Sequence, residues 1–137
     1  MEQIAAGIHQ VSNGVNAFII DGDEGVVLID TGLPKRHGVI VDALGSIGRA
    51  PADVRAIVIT HGHADHAGGA AALKEASGAS LVASELDTPT VRGDRAAPAP
   101  PILDFPVIRG WPDWSRAQRV PWSITSSPPV PCRWPRI

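Results

Sequence analysis

Residues 56–69 read A-I-V-I-T-H-G-H-A-D-H-A-G-G, and this stretch decides how the remainder of the chain is read. Ile57 to Thr60 are apolar or β-branched, the composition of a short buried strand. Three histidines and an aspartate follow at once: His61, His63, Asp65 and His66. Gly68 and Gly69 then lead into an alanine-rich segment expected to be helical. Imidazole is the commonest protein ligand for zinc and also suits copper, iron and nickel, and carboxylates complete such sets. Strand-loop-helix junctions are where α/β proteins place their ligands. The plainer alternatives are a histidine-rich surface loop, or Asp65 serving only to cap the helix behind it.

Spacing favours the metal. His61 and His63 are one residue apart, so on an extended segment their side chains project to the same side. Asp65 and His66 come after the chain has begun to turn, where they can address a neighbouring position. A pair of ions roughly 3.5–4 Å apart requires such a handover.

The same residues carry a resemblance. T-H-G-H-A-D-H-A-G-G is similar to the His-x-His-x-Asp-His signature of the metallo-β-lactamase fold superfamily, and Asp30-Thr31-Gly32 resembles that family's Asp-x-Gly turn. The likeness covers roughly the first hundred residues. It implies an α/β (α+β) fold, the N-terminal half of an αββα sandwich, with a mixed sheet and flanking helices. It also implies that His61 and His63 bind one ion and that Asp65 and His66 bind a second. Asp65 would help orient the attacking water. Asp30 and Gly32 would support the site from beneath, and the cofactor would be one or two Zn2+ ions, with other divalent metals as substitutes.

By the same resemblance the activity is metal-dependent hydrolysis, with bound water attacking an ester, thioester, lactone or β-lactam carbonyl. The family's second half normally adds two further histidines and a bridging aspartate, and this sequence has no histidine after His66. The expectation for this chain is therefore an impaired enzyme. The alternative is a non-catalytic fragment that binds metal weakly or assembles with another chain through an exposed sheet face. His9 and His37 precede the motif and are expected to be solvated or satisfied within the core. Asp104 and Asp113 lie in no recognisable motif.

Composition bounds the rest. The 137 residues are 44% hydrophobic with a net charge of −2, consistent with one globular domain and giving no argument for nucleic acid or membrane as a partner. The partner expected is a small-molecule substrate. No signal peptide or membrane span is read in the N-terminal residues, and the single Cys132 excludes an internal disulfide; a cytoplasmic location is the expectation. The averages conceal a division. Residues 1–97 hold twelve Asp/Glu, seven Lys/Arg and all five histidines, whereas residues 98–137 hold all four tryptophans and ten of the thirteen prolines. The expectation is a partial metallo-β-lactamase-like domain over 1–97 and an irregular Pro/Trp/Arg-rich tail over 98–137. That tail has the composition of disorder, or of a GC-rich gene continued out of frame.

Along the first segment, Ile4 to Val11 is expected to be an edge strand interrupted at Gly7. Val15 to Asp21 follows the turn signal Asn13-Gly14, and Gly25 to Asp30 follows a second turn, predicting an antiparallel meander of three strands. A helix is predicted from Pro34, with Ile40, Leu44 and Ile47 on its apolar stripe and Gly48 as its left-handed stop. Val54 to Thr60 is the strand before the histidines. Ala67 to Ala76 is expected to be the second helix, ended at Gly78. Ser80 to Ala83 is expected to be a strand, and Glu85 to Val91 a turn of helix.

Overall fold

The computed structural model describes residues 1–12 and 14–95. The tail and the boundary expected at residue 97 lie outside the described residues. Six strands, β1 (Glu2–Ala5), β2 (Ile8–Ser12), β3 (Asn16–Gly22), β4 (Gly25–Ile29), β5 (Val54–Ile59) and β6 (Ser80–Ala83), form one sheet in sequence order. β1 to β4 are antiparallel neighbours, while β4–β5 and β5–β6 are parallel. The two parallel connections carry the helices α1 (Gly38–Ser46), α2 (Ala64–Ala67) and α3 (Ala70–Ser77), and α4 (Thr88–Val91) follows β6. This is the mixed α/β sheet with flanking helices that the sequence predicts.

The meander has four strands instead of three. Gly7 does not merely interrupt an edge strand. It takes φ +67°, and its carbonyl accepts the Asp21 N–H at 2.7 Å. A Cβ at Gly7 would lie 2.6 Å from the Asp21 carbonyl oxygen, so only glycine permits the reversal.

Helix α1 begins at Gly38, later than Pro34. Lys35 takes φ +64°, which no right-handed helix accommodates, so the chain turns once more before the helix starts. Its end is as predicted. Gly48 is left-handed at φ +76°, with Gly48 N–H donating to the Gly45 carbonyl and Arg49 N–H to the Leu44 carbonyl, the paired bonds of a Schellman motif. Ile40 and Leu44 are fully buried, and Ile47 packs at the edge of the same cluster.

One face of the sheet carries the core. Val11, Ala17, Ile19, Val26, Leu28, Ile57 and Ile59 project beneath Ile40 and Leu44 of α1 and Leu73 of α3. Burial alternates along β3 and β4, the period-two signature of a sheet covered mainly on one side. The opposite face is also apolar. By register, Phe18, Ile29, Val58 and Val82 stand side by side across four strands, with Ile20, Val27 and Ala56 in the next row. Ile20 and Val82 are exposed.

Candidate metal centre

The parallel arrangement of β4, β5 and β6 gathers their C-terminal ends at one rim, and the candidate residues come from all three. Asp30 follows β4, Thr60 to His66 follow β5, and Ser84 to Asp87 follow β6. Ligand atoms of His61, His63 and Asp65 all lie within 4.8 Å of one another. The His61 and His63 rings meet edge to face with centroids 4.7 Å apart, and the His61 and His66 centroids are 4.0 Å apart. His66 Nε2 lies 3.7 Å from Asp65 Oδ2. The four residues singled out in the sequence therefore converge. The tightest group joins Asp65 to the two histidines expected at the other ion.

Beneath them, Asp30 is buried and held at φ +59°, a conformation that Asp tolerates better than most residues. Its carboxylate collects three hydrogen bonds. Thr60 N–H donates to Oδ1 at 2.8 Å, the Thr60 hydroxyl donates to Oδ2 at 2.7 Å, and His66 Nδ1–H donates to Oδ2 at 2.8 Å. A carboxylate only accepts, so His66 Nδ1 carries a proton, and in the neutral ring Nε2 is the nitrogen with the lone pair. The Thr60 hydroxyl, with its hydrogen directed at Asp30, accepts from His61 Nδ1–H at 3.0 Å. In the neutral ring of His61, Nε2 is then the free nitrogen as well. A divalent ion binds the neutral form of such a ring, and these bonds define which nitrogen it would meet.

The loop's exit is fixed by Thr31, which is fully buried. Its N–H and hydroxyl both donate to the His66 carbonyl, at 2.7 and 2.8 Å, and its hydroxyl oxygen accepts the Gly69 N–H at 3.1 Å. These bonds divert backbone groups that one continuous helix would use. The expected Ala67–Ala76 helix is accordingly split into α2, which begins earlier and contains Asp65 and His66, and α3. Gly68 packs against the Ala64 carbonyl and Pro34, and Gly69 against the Thr31 carbonyl, with no space at either for a side chain. Gly32, at φ +71°, pairs with Ala67 in an isolated parallel bridge.

Asp87 faces the motif from the other side. Its carboxyl is held below the usual carboxylate range, first by the hydrogen bond from the Ser84 hydroxyl and next by that from Gly62 N–H. Burial opposes these two bonds to a smaller extent, and His61 and His63, when protonated, lower the carboxyl by a lesser amount again. The sequence alone assigns no role at the site to Thr31, Thr60 or Asp87. Thr31 and Thr60 stand beside residues that it names, and S-E-L-D over 84–87 has the spacing of a reciprocal cap, the signal that marks Asp87. His9 and His37 stay apart from the site. His9 is buried, and its Nδ1 has no partner among the described residues. His37 caps α1, with its carbonyl accepting from Ile40 and Val41.

The family model of the metallo-beta-lactamase superfamily matches residues 12–130. The chain belongs to the metallo-β-lactamase superfamily. The match runs past residue 97 into the Pro/Trp-rich segment, further than the resemblance read from the motifs. Metallo-beta-lactamase domain-containing protein 1 of Mus musculus is 43% identical over 64 residues, 47% of this chain and 25% of that protein. A metal-dependent hydrolase of Methylocella silvestris is 40% identical over 74 residues, 52% of this chain and 29% of that protein. The solved Rm3 metallo-beta-lactamase superposes with a TM-score of 0.66 at 32% identity, covering 71% of this chain and 36% of that structure. The matched stretches thus span about a quarter of the curated relatives and about a third of the metallo-β-lactamase structure. Among the described residues no helix is long and apolar enough to cross a membrane.

Proposed function

We propose that this chain is a metal-dependent hydrolase of the metallo-β-lactamase superfamily. In this reading zinc is held by His61, His63, Asp65 and His66, and the substrate is a small molecule bearing an ester, thioester, lactone or β-lactam carbonyl. The observation that carries the proposal is the convergence of ligand atoms of His61, His63 and Asp65 within 4.8 Å, above a buried carboxylate that bonds His66 Nδ1 directly and His61 Nδ1 through Thr60. Zinc held there would supply a water whose pKa is lowered to about 7 and would polarise a carbonyl oxygen. The chain's own residues have separate tasks. Asp30 and Thr60 keep protons on the Nδ1 atoms of His66 and His61. Asp65, about 38% exposed at its side chain, offers a carboxylate oxygen to orient the attacking water. The hydrolase named in Methylocella silvestris and the β-lactamase Rm3 support the reaction class.

A second reading, metal binding without turnover, is favoured by the absence of any histidine beyond His66. Zinc bound by these residues alone would keep more water in its coordination shell and be less electrophilic. Its partner would be a second copy of the chain, covering the apolar face of Phe18, Ile29, Val58 and Val82. The two readings separate in one experiment. Full-length protein is titrated with zinc and assayed against a panel of esters, thioesters, lactones and a chromogenic β-lactam. Hydrolysis that is lost in the His61→Ala, His63→Ala double variant supports the enzyme. Zinc binding lost in that variant, with no turnover by the parent, supports the binding module. Absence of both removes the metal centre.

A further inference from the structure

The loop bearing His61 and His63 is held by a side chain outside the strand-loop-helix unit that contains it. Gly62 lies buried between the two histidines, and its N–H donates to Asp87 Oδ1 at 2.9 Å. Asp87 is itself pinned. The Ser84 hydroxyl donates to Asp87 Oδ2 at 2.6 Å, and the Ser84 hydroxyl oxygen accepts the Asp87 N–H at 3.1 Å. The Ser84 carbonyl takes both the N–H and the hydroxyl of Thr88, at 2.9 and 2.7 Å, tying this turn to the start of α4. The contact is steric as well as polar. A Cβ at Gly62 would lie 2.8 Å from both Cβ and Cγ2 of Thr90, so α4 closes on the loop where glycine leaves room. Thr90 is buried there.

We infer that Asp87 is a positioning residue for the metal centre, clamping the Gly62 amide so that His61 and His63 keep their mutual placement. A buried amide left without its acceptor would turn toward another partner or toward water, and the two flanking imidazoles would move with it. Asp87 is not a ligand in this assignment. Its effect on metal rests on the proposed function above, whereas its hold on Gly62 does not.

The test uses full-length protein with Asp87→Ala and Asp87→Asn. Hydrogen exchange of the Gly62 amide is followed by NMR without metal, and zinc affinity by competition with a chromogenic chelator. Asp87→Ala is expected to speed Gly62 exchange at least about tenfold and to weaken zinc about 10–100-fold, the range for residues that orient ligands. Asp87→Asn, which retains an acceptor oxygen, is expected to recover most of the Gly62 protection. Unchanged Gly62 exchange in Asp87→Ala, or a uniform rise at all amides reflecting lost global stability, would overturn the inference. If the parent binds no zinc, the metal reading fails and Gly62 exchange still decides the clamp. If Asp87→Ala does not fold, Ser84→Ala, which frees the carboxylate, takes its place. Faster Gly62 exchange then supports the clamp, and unchanged exchange rejects it.

Discussion

Asp30 combines an unfavourable backbone angle with the densest set of hydrogen bonds at the site, so its substitutions separate two effects. Asn tolerates φ +59° and retains one acceptor oxygen, but it removes the negative charge that keeps the proton on His66 Nδ1. Asp30→Asn is expected to fold and to bind zinc about 10–100-fold more weakly by calorimetric titration. Asp30→Ala removes the acceptor of both Thr60 donors, which sit on an exposed residue that water reaches, and about 0.5–1.5 kcal/mol of stability per bond is expected to go with them in urea unfolding. Asp87 gives a dependence on pH. Its carboxyl titrates below the ordinary value of 3.8 because Ser84 and Gly62 bond the charged form. Its contribution is therefore complete above about pH 4 and is lost as pH falls through the lowered folded value. The Gly62 amide is expected to stay protected at pH 5 and to lose protection only below the ordinary carboxylate range, as read by exchange across an acid series. Of these residues, the four of the motif are legible because three histidines and an aspartate are rare together at a strand end, and Asp30 through the resemblance of Asp30-Thr31-Gly32 to the family's Asp-x-Gly turn. Thr60 and Asp87 are not, since a threonine in a strand and an aspartate before a short helix have ordinary explanations.

Two glycines within and beside the helices have opposite surroundings. Gly45 lies in α1, where a Cβ would meet nothing within 4 Å, and Gly68 lies between α2 and α3 against Pro34 and the Ala64 carbonyl. Gly45→Ala is expected to stabilise the protein by up to about 1 kcal/mol through helix propensity. Gly68→Ala is expected to destabilise it by about 1–3 kcal/mol through overpacking, and thermal melts of the two variants should move in opposite directions. Periodicity locates α1, its buried Ile40 and Leu44, and the Gly48 stop, because those depend on neighbours along the chain. The break between α2 and α3 is hidden from sequence. It depends on Thr31, more than thirty residues upstream, taking the His66 carbonyl and the Gly69 N–H. The division of Ile4–Val11 into two strands is likewise obscured, since Gly7 there answers to the Asp21 carbonyl across the sheet.

At the scale of the molecule, the sheet has one face under helices and one apolar face bearing exposed Ile20 and Val82. Apolar surface of this kind drives association. Light scattering at micromolar concentration is expected to give a mass above the 14.3 kDa of one chain, and Ile20→Lys with Val82→Lys is expected to return it toward a monomer. A monomeric parent would remove self-association as an explanation for that face. The mixed sheet is legible through the resemblance that the histidine motif carries, and its antiparallel strands through the turn signals between them. Which face the helices of the described residues cover is not, since it follows from the crossover directions of α1 and α3. The sheet's polarity has a practical consequence. Every candidate ligand stands at the rim where β4, β5 and β6 end, whereas the turn before β4 presents exposed Asp23 and Glu24 at the other rim. Five residues of β4 separate the two, about 17 Å at the usual rise per residue. An affinity handle or fluorophore inserted at that turn would anchor the protein to a surface while leaving the histidine rim open to solution.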